Sequence, residues 1–80
     1  MEYYVYIIYS STRNRYYIGY SSDPESRLKE HNLGSTISTR TGKPWILVYK
    51  ERFADKSSAI KRENEIKRMK SRKYIESLIR

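Results

Sequence analysis

Cysteine is absent from this chain and histidine occurs once. The first absence excludes disulfides, thiolate-held zinc and a thiol nucleophile, and the second excludes a multi-histidine metal centre. Any metal must then rest mainly on oxygen ligands, which points to Mg²⁺ or Mn²⁺. Glycine (three) and proline (two) are scarce, and no linker, repeat or low-complexity segment interrupts the chain. No apolar run approaches membrane-spanning length. The start, Met1-Glu-Tyr-Tyr4, lacks the basic region of a secretory signal. The expectation is a cytoplasmic protein with no membrane contact.

What is present is tyrosine and positive charge. In 80 residues there is room for one domain over 1–80, and nine Tyr with one Trp and one Phe supply most of its large apolar side chains. A chain this short buries only roughly 60% of the surface its unfolded form exposes, so the core is modest. The formal charge is +8, and it is uneven. Lys61, Arg62, Lys67, Arg68, Lys70, Arg72 and Lys73 face only Glu63 and Glu65 in the same short stretch. Such a stripe is the electrostatic footprint of a nucleic-acid binder; a solvated helix face, or a ribosome- or membrane-sticky surface, is the plainer reading.

Tyr3 to Tyr9 alternates two β-favouring sets, which predicts a strand apolar on both faces. Ser10–Asn14 is short and polar, and Asn14 tolerates positive φ, so a hairpin into Arg15–Tyr20 follows. Asp23-Pro24 is a helix start, running to about Asn32 and ending near Gly34. Ser35 to Pro44 reads as loop, and Trp45–Tyr49, extending toward Phe53, as a buried third strand. Asp55 or Ser57 caps a second helix through about Met69. Ser71 caps a third, whose packing stripe is Tyr74, Ile75, Leu78 and Ile79. The order β-β-α-β-α-α predicts a small α+β domain: a three-stranded mixed or antiparallel sheet flanked by helices.

Several residues could carry chemistry. Arg27 and His31 lie four apart on the first helix and so project from one face, with Leu28 marking the core side. An arginine can clamp phosphate oxygens and a histidine can pass a proton; the bland reading is two exposed polar residues. Glu63 falls inside an apolar stripe defined by Ala59, Ile60 and Ile66. A carboxylate there costs several kcal/mol in desolvation unless a cation meets it. A divalent metal would serve, and so would Lys67 one turn on. Tyr6 and Tyr17 are packing residues by default. Tyr17, however, shares a strand face with Gly19, where backbone can approach a ligand.

Tyr4-Val-Tyr6, about ten residues before Tyr17-Ile-Gly19, resembles the paired signature of the GIY-YIG nuclease superfamily. Arg27, His31, Arg62-Glu63 and Ile66-Lys67 extend the resemblance across Tyr3 to Ile79. The chain looks like the small stand-alone members of excinuclease-subunit-C-like or UPF0213 type.

The resemblance implies the GIY-YIG fold and a divalent-metal-dependent endonuclease acting on DNA rather than RNA, structure- rather than sequence-selective. Tyr6 and Tyr17 would line the site and help activate the nucleophile, and Gly19 would admit substrate. Arg27 would stabilise the phosphorane, His31 would assist proton transfer, and Glu63 would hold one Mg²⁺ or Mn²⁺. With no appended DNA-binding module, Lys61, Lys67, Arg68 and Lys70 would bind the backbone. The alternative is a catalytically weak or inactive nucleic-acid-binding module on the same scaffold. The chain departs from the family pattern in three places. Tyr-Val-Tyr replaces Gly-Ile-Tyr, Tyr20 stands where DNA-repair relatives have lysine, and no asparagine follows Asn64.

Overall fold

A computed structural model describes all residues, 1–80. The elements run β1 (Tyr3–Ser10), β2 (Arg15–Ser21), α1 (Pro24–Leu33), a 3₁₀ segment (Ile37–Gly42), β3 (Trp45–Phe53), α2 (Lys56–Met69) and α3 (Arg72–Ile79). The sheet is antiparallel throughout, in the order β2-β1-β3. β1 therefore sits between two partners, and both of its faces are apolar because packed elements cover each side of the sheet. Val5, Tyr6, Ile7 and Ile8 are all buried.

Alternation along β1 distributes the core over two layers. Val5 meets Ala59 and Ile66 of α2, with Ile18, Tyr74, Ile75 and Leu78 packed around them. Tyr6 and Ile8 meet Trp45 from the other side, with Tyr17, Leu28 and Leu47 against them. The sheet is thus sandwiched, with α1 and the 3₁₀ segment on one face and α2 and α3 on the other.

Local chemistry fixes each boundary. Asn14 takes φ 54° at the hairpin turn. The Asp23 carboxylate accepts from Ser26 N at 3.2 Å, Pro24 opens α1, and Gly34, at φ 81°, ends it. Asp55, not Ser57, caps α2 through Ser58 N at 2.7 Å, and Ser71 caps α3 through Tyr74 N at 3.1 Å. α3 has no fully buried residue. Its half-buried Tyr74, Ile75 and Leu78 pack on the core, and Arg72 tethers it further, donating to the Asn14 carbonyl and side-chain oxygen at 2.8 and 2.6 Å.

The stretch expected to be loop, Ser35 to Pro44, contains the 3₁₀ segment. Its apolar pattern is weak because polar anchors hold it. The Trp45 indole N–H donates to Thr39 O at 2.7 Å, and Gly42 lies so close to the Trp45 ring that a Cβ would fall 2.4 Å from it. Asn32 of α1 completes the junction, accepting from Trp45 N at 2.6 Å and donating to Trp45 O at 3.0 Å.

Candidate active site

The β1–β2 register places Tyr6 opposite Gly19. A side chain at Gly19 is impossible without moving the tyrosine, since its Cβ would lie 2.6 Å from the Tyr6 hydroxyl oxygen. The glycine was expected to admit a ligand. Its first service is to let the Tyr6 ring lie across β2, which turns the hydroxyl toward α1.

There the hydroxyl meets His31 Nε2 at 2.9 Å, while His31 Nδ1 meets Thr39 Oγ1 at 2.7 Å. Thr39 Oγ1 in turn donates to the Thr36 carbonyl at 3.4 Å. A hydroxyl has one proton to give. If it goes to Thr36, Nδ1 carries the imidazole proton and Nε2 accepts from Tyr6. This tautomer follows from the hydrogen-bond network, and it satisfies every member of the chain. Tyr17 closes the group, its ring edge-on to His31 with centroids 5.1 Å apart.

Burial and the neighbouring Tyr17 push the Tyr6 hydroxyl up to about 12, with Arg27 working in the opposite direction. Tyr6 is therefore a neutral phenol at physiological pH. Burial, followed by the positive charge of Arg27, holds His31 below the usual imidazole range. His31 was expected on one helix face with Arg27, and both do reach Tyr6; the bland reading had both exposed. His31 is instead fully buried behind Tyr6 and does not reach the cavity. The reason lies in the spacing: His31 follows Leu28 at i+3, so the ring turns inward with Leu28, and Thr39 of the 3₁₀ segment meets it.

A depressed histidine makes stability pH-dependent. The native state disfavours the proton that the unfolded chain accepts near pH 6.5. The His31 contribution is thus complete above that value and is lost as pH falls toward the depressed native value. Urea midpoints should drop between pH 7.5 and pH 5.5, and a His31→Gln variant should show a flatter profile over the same range.

In front of this buried chain is a cavity of about 310 Å³ lined by Tyr6, Tyr17, Gly19, Tyr20, Ser21, Arg27 and Glu63. Arg27 comes from the first turns of α1 and is paired with Glu30. Glu63 comes from α2, on the opposite side of the sheet, and reaches the cavity past the free edge of β2. Its side chain is only 12% exposed, and its cation is Lys67 at 3.4 Å, itself 49% exposed. Both partners foreseen for Glu63 thus remain open to it: Lys67 is at hand, and the carboxylate still faces the cavity.

Lys67, Arg68 and Lys70 line a second concavity with Asn64, about 480 Å³ and free of carboxylates. Lys61 is exposed on α2 but belongs to neither hollow. Thr39, which orients His31, carries no local sequence signal. Ser21 has none either, and Tyr20 stands out in the sequence as the replacement for a lysine.

A single carboxylate also bears on the metal. No three His, Cys, Asp or Glu side chains gather anywhere in the fold, which does not suit zinc or calcium. It does suit Mg²⁺ or Mn²⁺, which keep several waters and draw further ligands from substrate phosphate. No helix is long and apolar enough to cross a membrane.

Comparison with known proteins agrees with this fold. Residues 2–75 match the model of the GIY-YIG catalytic domain. A UPF0213 protein of Staphylococcus haemolyticus is 43% identical over 67 residues, covering 82% of this chain and 80% of its own. One from Natronomonas pharaonis is 42% identical over 67 residues, covering 82% of this chain and 78% of its own. The solution NMR structure of a UPF0213 protein from Bacillus halodurans superposes with a TM-score of 0.62 at 35% identity, over 99% of this chain and 83% of that one. With the whole sheet, α1 and α2 inside the matched span, the chain belongs to the GIY-YIG catalytic domain family.

Proposed function

We infer that this chain is a divalent-metal-dependent endonuclease that hydrolyses DNA phosphodiester bonds, selecting substrate structure rather than sequence. The observation that carries this reading is the convergence of Tyr6, Tyr17, Arg27 and Glu63 on one cavity although they derive from four separate elements.

In this reading a phosphodiester enters the cavity beside Arg27, whose guanidinium offsets the charge growing on phosphorus. A water molecule attacks phosphorus. Its proton passes to the Tyr6 oxygen as the Tyr6 proton moves to His31 Nε2, and the bond to the departing 3′ oxygen breaks. Tyr6 cannot be the resident base, because its phenol is neutral; it works as a relay. The buried, neutral His31 is the acceptor behind it, and Thr39 keeps that nitrogen free. Tyr17 packs the imidazole in place. Glu63 would hold the metal ion, which when bound polarises the phosphate and neutralises charge on the leaving oxygen. Lys61, Lys67, Arg68 and Lys70 contribute backbone contacts that position DNA without reading it.

Supercoiled plasmid should be nicked in Mg²⁺ or Mn²⁺ and left intact in EDTA. Gel retardation that persists in EDTA, together with no product in either ion, would identify the nucleic-acid-binding module instead.

A further inference from the structure

Beyond the catalytic cavity lies a depression of about 340 Å³ between the β1–β2 turn and the α2–α3 junction, and it shares no residue with that cavity. Its floor is Ile18, Ile66, Ile75 and the ring of Tyr16, and its rim includes Arg15 and Lys70. Arg15 and Lys70 are exposed and enter no ion pair. Lys67 and Arg72 also stand on the rim, paired with Glu63 and Glu76, neither of which lines the depression. The Arg72 guanidinium lies 5.0 Å from the Tyr16 ring centre and keeps that ring in place.

An apolar floor under a cationic rim, with Glu76 outside it held by Arg72 and the Tyr16 hydroxyl, suits a ligand that has a flat apolar body and an anionic ester. A phosphate alone would leave the isoleucines bare, and an apolar peptide would leave the cations unanswered. A nucleotide meets both. In a continuous duplex the bases are paired and stacked, so the occupant must be a nucleotide free of pairing.

We propose that this depression binds the base and phosphate of an unpaired nucleotide on the strand that enters the catalytic cavity. The inference rests on the nuclease reading and adds a substrate class to it: DNA with an unpaired nucleotide close to the cut. The topology supports the link. β2 is an edge strand, with Tyr16 and Ile18 in the depression and Tyr17 and Gly19 in the cavity. Tyr16 and Ile18 face the opposite side of the sheet from Tyr17 and Gly19, so the DNA strand would pass round the free edge of β2, along which Tyr16 to Gly19 spans about 10 Å. On α2, Ile66 follows Glu63 by one turn, so a single helix borders both hollows.

The test is methyl NMR of the full chain in EDTA, titrated with a short single-stranded oligodeoxynucleotide and with the blunt duplex of the same sequence. The Ile18, Ile66 and Ile75 methyl signals should move with the single strand and stay still with the duplex. Arg15→Glu combined with Lys70→Glu should weaken single-strand binding roughly tenfold or more, and the paired glutamine variants should weaken it less in the same direction. Equal shifts with duplex, or single-strand binding that leaves all three methyls unmoved, overturns the proposal. Plasmid nicking in Mg²⁺ with unmoved isoleucines removes this site and keeps the nuclease. Moved isoleucines without nicking keep the site and remove the nuclease.

Discussion

Glu63→Ala is expected to reduce Mg²⁺-dependent nicking by about 10³-fold or more while the domain stays folded. The carboxylate is the only one on the cavity wall, and the nearby Glu30 is engaged by Arg27. The stability cost should be small. The lost ion pair involves the half-exposed Lys67, and pairs of that kind contribute at most about 1 kcal/mol. Glu63→Gln preserves the shape and should be equally inert. Nicking rates, urea midpoints and Mn²⁺ binding followed by electron paramagnetic resonance separate the possibilities. Wild-type rates in either variant would remove the metal assignment.

Tyr6→Phe should lower both stability and turnover, by separable routes. The ring remains over Gly19, so packing is preserved, but His31 Nε2 loses its only partner in a fully buried position. An unsatisfied buried polar atom costs about 1–3 kcal/mol. A proton relay of this type is worth roughly 10²–10⁴-fold in rate, and that loss should persist at temperatures where the variant is fully folded. The His31 imidazole nitrogen resonances provide a direct readout. Nε2 should shift on substitution while Nδ1, bonded to Thr39, stays close to its wild-type position. A variant with full activity at equal folded fraction would take Tyr6 out of the proton path.

How much of this could be read beforehand differs from element to element. The strand pattern in Tyr3–Tyr9 was legible because both faces of β1 are covered, so both sets of alternate positions are apolar. Asp23-Pro24, Gly34, Asp55 and Ser71 declare their boundaries through their own side chains or backbone freedom, and need no tertiary information. The 3₁₀ segment could not be read, since its stability comes from Trp45 and Asn32, which contact it or its junction only after folding. His31 was legible in part: its spacing from Leu28 turns it inward, but its spacing from Arg27 suggested the opposite. Thr39 carries no local signal at all. Glu63 was noticeable because an acid interrupts an apolar stripe, whereas its route past the edge of β2 depends on strand order. Gly19 needed the register before its partnership with Tyr6 could be known.

The pairing of Tyr6 with Gly19 bears on when the nascent domain becomes competent. Tyr6, Tyr17 and Gly19 belong to one hairpin closed by a short turn, a local structure of the kind that forms early. The arginine and imidazole arrive with the following helix, and the carboxylate only after β3 has crossed to the far side of β1. Chains halted at the hairpin, or truncated by proteolysis before the second long helix, would display the tyrosines yet be inert.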